Sequence, residues 1–331
     1  MSFLFMSCRY GDERHRYALQ EGTDTTPVRI HRLDKDIASF INDDRQHRDS
    51  IINADLELLK GYALIVNGTD SVDERLMSFW STWPATTMFM PEVDRLYSDL
   101  EPEEHALGLI LETAKANSLA IPADKFASVT WGDSHSIIIN EGNRTAYLAL
   151  NHYLGALNEA YNGWPRYKTK LKTRDMIPVD MAEALLATSY PYIETDEATV
   201  LNRLIYEGSI ATAKHALVPA APLNLILGFT ADEMQQVVDN EEFIGKQLLK
   251  DNKLYSSDQT IISNLFDLRP SSTLISPDAP GRASRYIGYK IVQSYLDNNA
   301  GTTLSELLSP SFYNDGISVL RKSGYLLGKS E

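Results

Sequence analysis

Apolar residues recur at helical spacing over most of this chain, and only a short interval near the middle changes period. From Leu33 to Lys60 they fall at Leu33, Ile37, Phe40, Ile41, Ile51, Ile52, Leu56 and Leu59, interrupted by a charged turn around residues 42–45. This spacing predicts two helices. Gly61 to Thr69 reads as a loop or short extended link, and Val72 to Trp80 as a short helix limited by Pro84. Thr86 to Leu100 and Pro102 to Asn117 resume the helical period, with Glu103 and Glu104 in a first turn, where acids favour the helix macrodipole. Residues 33–117 are expected to form an antiparallel helical layer.

After Ile121 and Pro122 the period shortens. Phe126 to Trp131, His135 to Ile139 and Thr145 to Leu150 read as strands separated by Gly-Asp and Glu-Gly-Asn turns. An aromatic loop, Tyr161 to Tyr167, leads back to helical periodicity over residues 178–189, 197–217, 231–251, 259–266, 283–298, 304–308 and 312–323. Two of these starts carry a capping box, Thr230 with Glu233 and Thr303 with Glu306, in which hydroxyl and carboxylate satisfy free backbone donors reciprocally. The expected fold is α+β and predominantly helical, with one small antiparallel or mixed sheet. Residues 28–331 form a single domain, built from the helical layer, the sheet within 126–150 and a helical cleft region over 175–325.

With 331 residues, 43% of them hydrophobic, the chain can bury a large core. Its formal net charge of -14 and pI near 5.0 oppose a phosphate backbone, which excludes nucleic acid as a partner. The run Lys168 to Arg174 is too short to reverse that field and reads as a solvated helix end or surface loop. Cys8 is the one cysteine, so neither an intrachain disulfide nor a cysteine-based metal site can form. Ser2 to Cys8 resembles the end of a hydrophobic signal segment that stops at a lipid-accepting cysteine. Cys8 is therefore the candidate lipidation site, with residues 9–27 as a polar tether. No stretch approaches the roughly 20 apolar residues of a membrane span, so attachment to a membrane is expected through that lipid.

The residues with chemical interest are spread over several helices. Tyr206-Glu207-Gly208-Ser209-Ile210 has the outline of a His-Glu-x-x-His metalloprotease helix in which residues four apart share one face, but Tyr206 and Ile210 stand where the imidazoles would be. Isoleucine offers no donor atom and neutral tyrosine is a poor zinc ligand, so neither a metal, a cofactor nor a catalytic residue is expected. The alternative is an active hydrolase or peptidase with an unconventional site around Glu207. Leu201, Leu204, Ile205 and Gly208 also make a plain core stripe, with Arg203 placed four residues before Glu207 to pair with it.

Glu241 and Glu242 follow on a later helix, where metalloproteases of the glutamate-ligand type place a third ligand. With Tyr206, Glu207 and Ile210 they define a vestigial cleft. His152, Arg282, Arg285, Tyr286 and Tyr289 are candidate binding residues. Arginines at a helix start oppose the macrodipole, so an acidic partner is expected for Arg282 and Arg285: Glu207, one of Glu241 and Glu242, or the terminus of a bound peptide. Gly288, set between tyrosines, implies the close approach of another backbone.

Five segments in order carry a resemblance: Leu150 to Gly155, Trp164 to Tyr167, Leu204 to Gly208, Gly228 to Thr230 followed by Asn240-Glu241, and Tyr286 to Val292. Together they resemble the gliding-motility lipoprotein B (GldB) family of Bacteroidota from about Phe126 to Tyr325, with a weaker match back to about Met90. The resemblance implies a zincin-like, metalloprotease-fold body with a defective or absent zinc motif. It also implies a lipid anchor in the cell envelope, facing the periplasm or the surface, and a link to surface gliding. The function it implies is non-catalytic binding of a peptide, a glycan or an envelope partner protein.

Overall fold

The computed structural model describes residue 22 and residues 26–329, so the proposed lipidation site Cys8 lies outside the described residues. Near the start of the described residues, His31 bridges Ala127 in parallel, with its backbone bonded to Phe126 and Ser128. Six helices follow: α1 (Leu33–Ser39), α2 (Arg45–Ala54), α3 (Leu56–Asn67), α4 (Glu74–Thr82), α5 (Pro84–Leu96) and α6 (Glu101–Ala116). The expected loop at Gly61 to Thr69 is instead the second half of α3. Leu59, Tyr62 and Ala63 are buried and hold the turn in place, while Gly61 gives room to the Tyr147 hydroxyl and the Asn143 amide. The helix stops at Gly68, whose φ of 70° is the left-handed cap that glycine adopts without strain.

The sheet consists of β1 (Lys125–Val129), β2 (Ile137–Asn140) and β3 (Thr145–Ala149) in the order β1-β3-β2. β1 runs parallel to β3, and β2 antiparallel to it, so the sheet is mixed. Every residue of β3 is buried. Its side chains alternate between two cores: Ala146 and Leu148 join the large C-terminal cluster, whereas Tyr147 and Ala149 join a smaller cluster with Phe40, Tyr62, Trp80 and Trp131. A strand covered on both faces must be apolar throughout, so it shows no alternation of polar residues.

The C-terminal body contains α7 (Arg166–Thr169), α8 (Met176–Ser189), α9 (Val200–Leu217), α10 (Leu223–Leu227), α11 (Ala231–Asp239), α12 (Glu241–Leu249), α13 (Gln259–Phe266), α14 (Ser284–Asn298), α15 (Leu304–Leu307), α16 (Pro310–Tyr313) and α17 (Gly316–Ser323). Both expected capping boxes form, at Thr230 and Thr303. The single helix expected over 231–251 divides at Asn240, whose side-chain amide turns back to the Gln236 carbonyl, 2.8 Å away. The one expected over 312–323 divides into α16 and α17.

α9 and α14 form the central helix pair. A Cβ on Gly208 would overlap the Gly288 carbonyl, and one on Gly288 would overlap the carbonyl of Leu204. The two backbones therefore touch where these glycines meet. Gly288→Ala is expected to force the helices apart at a cost of ~1–3 kcal/mol, the usual range for overpacking. The check is a lower urea midpoint at unchanged slope.

Candidate functional site

A large cleft borders α8, α14 and the edge of the sheet, and has a volume of about 1000 Å³. Met176, Asp180, Glu183, Ala184 and Ala187 line it from α8; steps of three and four place them on one face of that helix. Ser136 and Ile137 contribute from the start of β2, Trp164 and Tyr167 from the aromatic loop and α7, and Arg282 and Arg285 from the start of α14. The lining holds five cations, Lys168, Lys170, Lys172, Arg282 and Arg285, against two carboxylates, Asp180 and Glu183. In a chain of net charge -14 this is a local reversal of sign.

Behind the cleft wall Glu207 is buried at 6% exposure and held between two arginines. Its Oε1 lies 2.7 Å from Arg203 Nη2, the i,i+4 pair expected from sequence, and its Oε2 lies 2.9 Å from Arg285 Nε. The second contact is a close ionic approach without hydrogen-bond alignment. Burial pushes the Glu207 pKa up, but Arg285 and then Arg203 outweigh it and hold the carboxyl below its ordinary value. Arg285 Nη2 also lies 3.6 Å from Glu183 Oε1, and Lys214 Nζ lies 2.5 Å from the other oxygen of Glu183. Burial raises the Glu183 pKa, yet Lys214 and Arg285 together depress it. One guanidinium thus ties α9, α14 and α8 together.

A second polar group lies under the aromatic loop. His152 is buried and its Nε2 is 3.0 Å from the carbonyl of Asp133, which can only accept, so Nε2 carries the proton. Nδ1 is left to accept from Lys172 Nζ at 2.7 Å. Burial and then the Lys172 charge push the His152 pKa down to about 3. Lys172 itself lies over the rings of Tyr161 and Trp164, and burial lowers it to about 8. Asp180, which accepts from the Tyr153 hydroxyl at 2.9 Å, is raised to about 6 by burial and by Glu183. Asn151 fixes this corner by bonding both backbone groups of Trp131.

The structure brings Glu207, Arg282 and Arg285 to the same region and leaves the other expected residues elsewhere. The Tyr206 hydroxyl donates to the Tyr190 carbonyl at 3.0 Å and its ring packs against Tyr192 and Tyr313. Ile210 is buried in the main core. Glu241 accepts from Tyr286 at 2.9 Å and from Tyr325 at 2.8 Å, which joins α12 to α14 and the C-terminal segment. Glu242 pairs with Lys246 on its own helix, and Tyr289 is buried. None of these five residues, nor Tyr286 or His152, lines the large cleft. Among the described residues the ligand atoms of His31, Asp36 and Asp55 converge within 4.8 Å, in the N-terminal layer, and Glu207 belongs to no such group.

Asp180, Glu183 and Lys172 were missed from sequence. The signal was present as two acids three residues apart on the otherwise apolar helix 178–189. A family model described as gliding motility protein GldB matches residues 17–326. The chain belongs to the GldB family. No curated protein and no solved structure matches it. Among the described residues no helix of this GldB-family chain is long and apolar enough to cross a membrane.

Two outcomes follow from this network. Arg285→Met leaves Glu207 with Arg203 alone and Glu183 with Lys214 alone, and is expected to destabilise by ~3 kcal/mol, the lower end of the range for breaking a buried pair. Arg203→Met removes a half-exposed partner and is expected to cost about 1 kcal/mol or less. Urea denaturation of both variants and of Arg285→Met/Glu207→Gln, in which part of the loss returns, checks the assignment. For His152, the folded-state pKa lies below the unfolded value, so its contribution is present above pH 6.5 and is lost as pH falls from 6.5 to about 3. Asp180, raised from 3.8 to about 6, acts in the opposite direction between those values. Stability measured against pH is expected to fall less steeply on acidification in His152→Asn than in the parent.

Proposed function

We propose that this GldB-family chain is a non-catalytic, gliding-associated lipoprotein of the cell envelope, anchored through Cys8, whose cleft binds an extended segment of peptide or partner protein. The observation that carries the proposal is the locking of Glu207 between Arg203 and Arg285. A general base needs a free lone pair near the proton it takes, and a carboxylate neutralised by two guanidinium groups is poorly suited to that work. The side chains at the former ligand positions, Tyr206 and Ile210, are committed to the aromatic cluster and the core. With these side chains committed to packing and ion pairing behind its wall, the cleft serves as a groove.

Peptide is favoured over glycan by the sheet edge. β2 is an outer strand, and the pairing of Ser136 with Ala149 directs the peptide groups of Ile137 and Ile139 away from β3. Ile137 lines the cleft, so an extended chain can extend the ladder there while its side chains meet Trp164, Tyr167 and the apolar face of α8. The alternative, a hydrolase, finds support at Asp180 and Lys172 rather than at Glu207, because burial pushes these two cleft residues toward neutrality, Asp180 up to about 6 and Lys172 down to about 8.

Elemental analysis of the purified protein, combined with a peptide-hydrolysis screen of the parent, Asp180→Asn and Glu207→Gln, separates the two. The expected result is no stoichiometric zinc and no turnover. Turnover abolished by either substitution, with or without zinc, reverses the proposal.

A further inference from the structure

We propose that the cleft contains an oxyanion subsite in which the guanidinium of Arg282 pairs with a carboxylate or phosphate group of the occupant. This rests on the cleft being a binding groove and specifies what the groove selects. Arg282 has φ 65°, a left-handed conformation that side chains other than glycine rarely adopt and that persists only where the surroundings impose it. Its Nε is buried with no hydrogen-bond partner, and among the described residues no carboxylate forms an ion pair with it. Arg285 stands three positions further on; its charge, then burial, lowers the pKa of Arg282 to about 10.

Of the three acids whose charge reaches Arg282, Glu207 is engaged by Arg203 and Arg285 and Glu183 by Lys214 and Arg285, while Asp267 accepts from the Ser263 hydroxyl and forms no ion pair with Arg282. Backbone strain, an orphaned donor and like-charge repulsion thus meet in one residue that faces the cleft. Each opposes folding, and an oxyanion relieves the last two, because the forked donors of arginine match a carboxylate or phosphate in geometry as well as in charge. Lys168 and Lys172 strengthen the field. Both line the cleft and neither pairs with a carboxylate: Lys168 lies over the Tyr167 ring and Lys172 donates to neutral His152.

A purely structural role for Arg282 makes the opposite forecast about stability, so Arg282→Gly is the informative variant. Melting temperature is followed in sodium acetate, sodium phosphate and sodium chloride at matched ionic strength. The parent is expected to show a saturable rise in acetate or phosphate beyond chloride, and the anion that acts identifies the group. Arg282→Gly is expected to melt higher than the parent in chloride and to bind that anion ~10-fold or more weakly, as befits loss of a charge-assisted pair. Arg282→Lys, which keeps charge without the fork, is expected to fall between them. No saturable rise in the parent, or an Arg282→Gly variant that melts lower and responds like the parent, overturns the subsite.

Where acetate is the anion that acts, a degenerate tetrapeptide library, presented as free acids and as C-terminal amides, then separates the two levels of the proposal; where phosphate acts, the library is compared with and without phosphoserine and read in the same way. Retention of acids over amides supports the subsite. Equal retention overturns it while leaving the groove intact, and retention of neither removes the groove as well.

Discussion

The bridge made by Arg285 is the interaction on which the C-terminal body of the molecule depends. It joins a carboxylate on α9 to one on α8 from the first turn of α14, and it does so inside a wall where unpaired charge is costly. The bridge requires the helices to lie close enough for one side chain to span them, and that closeness comes from the meeting of Gly208 with Gly288. Backbone contact and ion pairing are therefore one device: the glycines set the separation, and the separation sets which acids the guanidinium reaches. The same bridge removes Glu207 from solvent chemistry and leaves Arg282, its neighbour on the cleft side, without a partner.

Much of this arrangement could be read from the residues. Gly288 between tyrosines implied a close backbone, and the backbone it meets is that of α9. Arg203 four residues before Glu207 implied the pair that forms, and of the two arginines at the start of α14 expected to meet an acid, Arg285 meets Glu207 and also the unforeseen Glu183, whereas Arg282 forms no ion pair among the described residues. The predominantly helical α+β fold was legible because helical periodicity and capping boxes are local. Less legible was anything decided across the fold. Gly61 ends helices in isolation, yet here the buried Leu59 and Tyr62 carry α3 through it. Glu241 looked like a ligand candidate because its partners, Tyr286 and Tyr325, are 45 and 84 residues away in sequence. Asp180 and Glu183 showed their spacing, but only the packing of α8 against β2 and the aromatic loop turns that face into a cleft wall.

The electrostatics of the cleft depart from those of the whole chain. A net charge of -14 keeps cations outside the protein attracted and anions repelled, yet five basic side chains gather around one cavity. Their own partners are unevenly distributed. Lys170 is bonded to both oxygens of Glu233, and Arg285 is shared between two acids, whereas Lys172 rests against a neutral imidazole. Selectivity at such a surface comes from the uncompensated groups, because compensated ones contribute shape more than field.

The two-sided burial of β3 has a consequence for how the chain holds together. Tyr147 and Ala149 belong to the core of the N-terminal helices while Ala146 and Leu148 belong to the body that bears the cleft, so one five-residue strand is a seam common to both. Loosening either side uncovers half of the seam to water. A change in the packing of the N-terminal helices therefore reaches β2, the strand that edges the cleft, through a single shared strand, so the two cores are expected to melt as one cooperative unit.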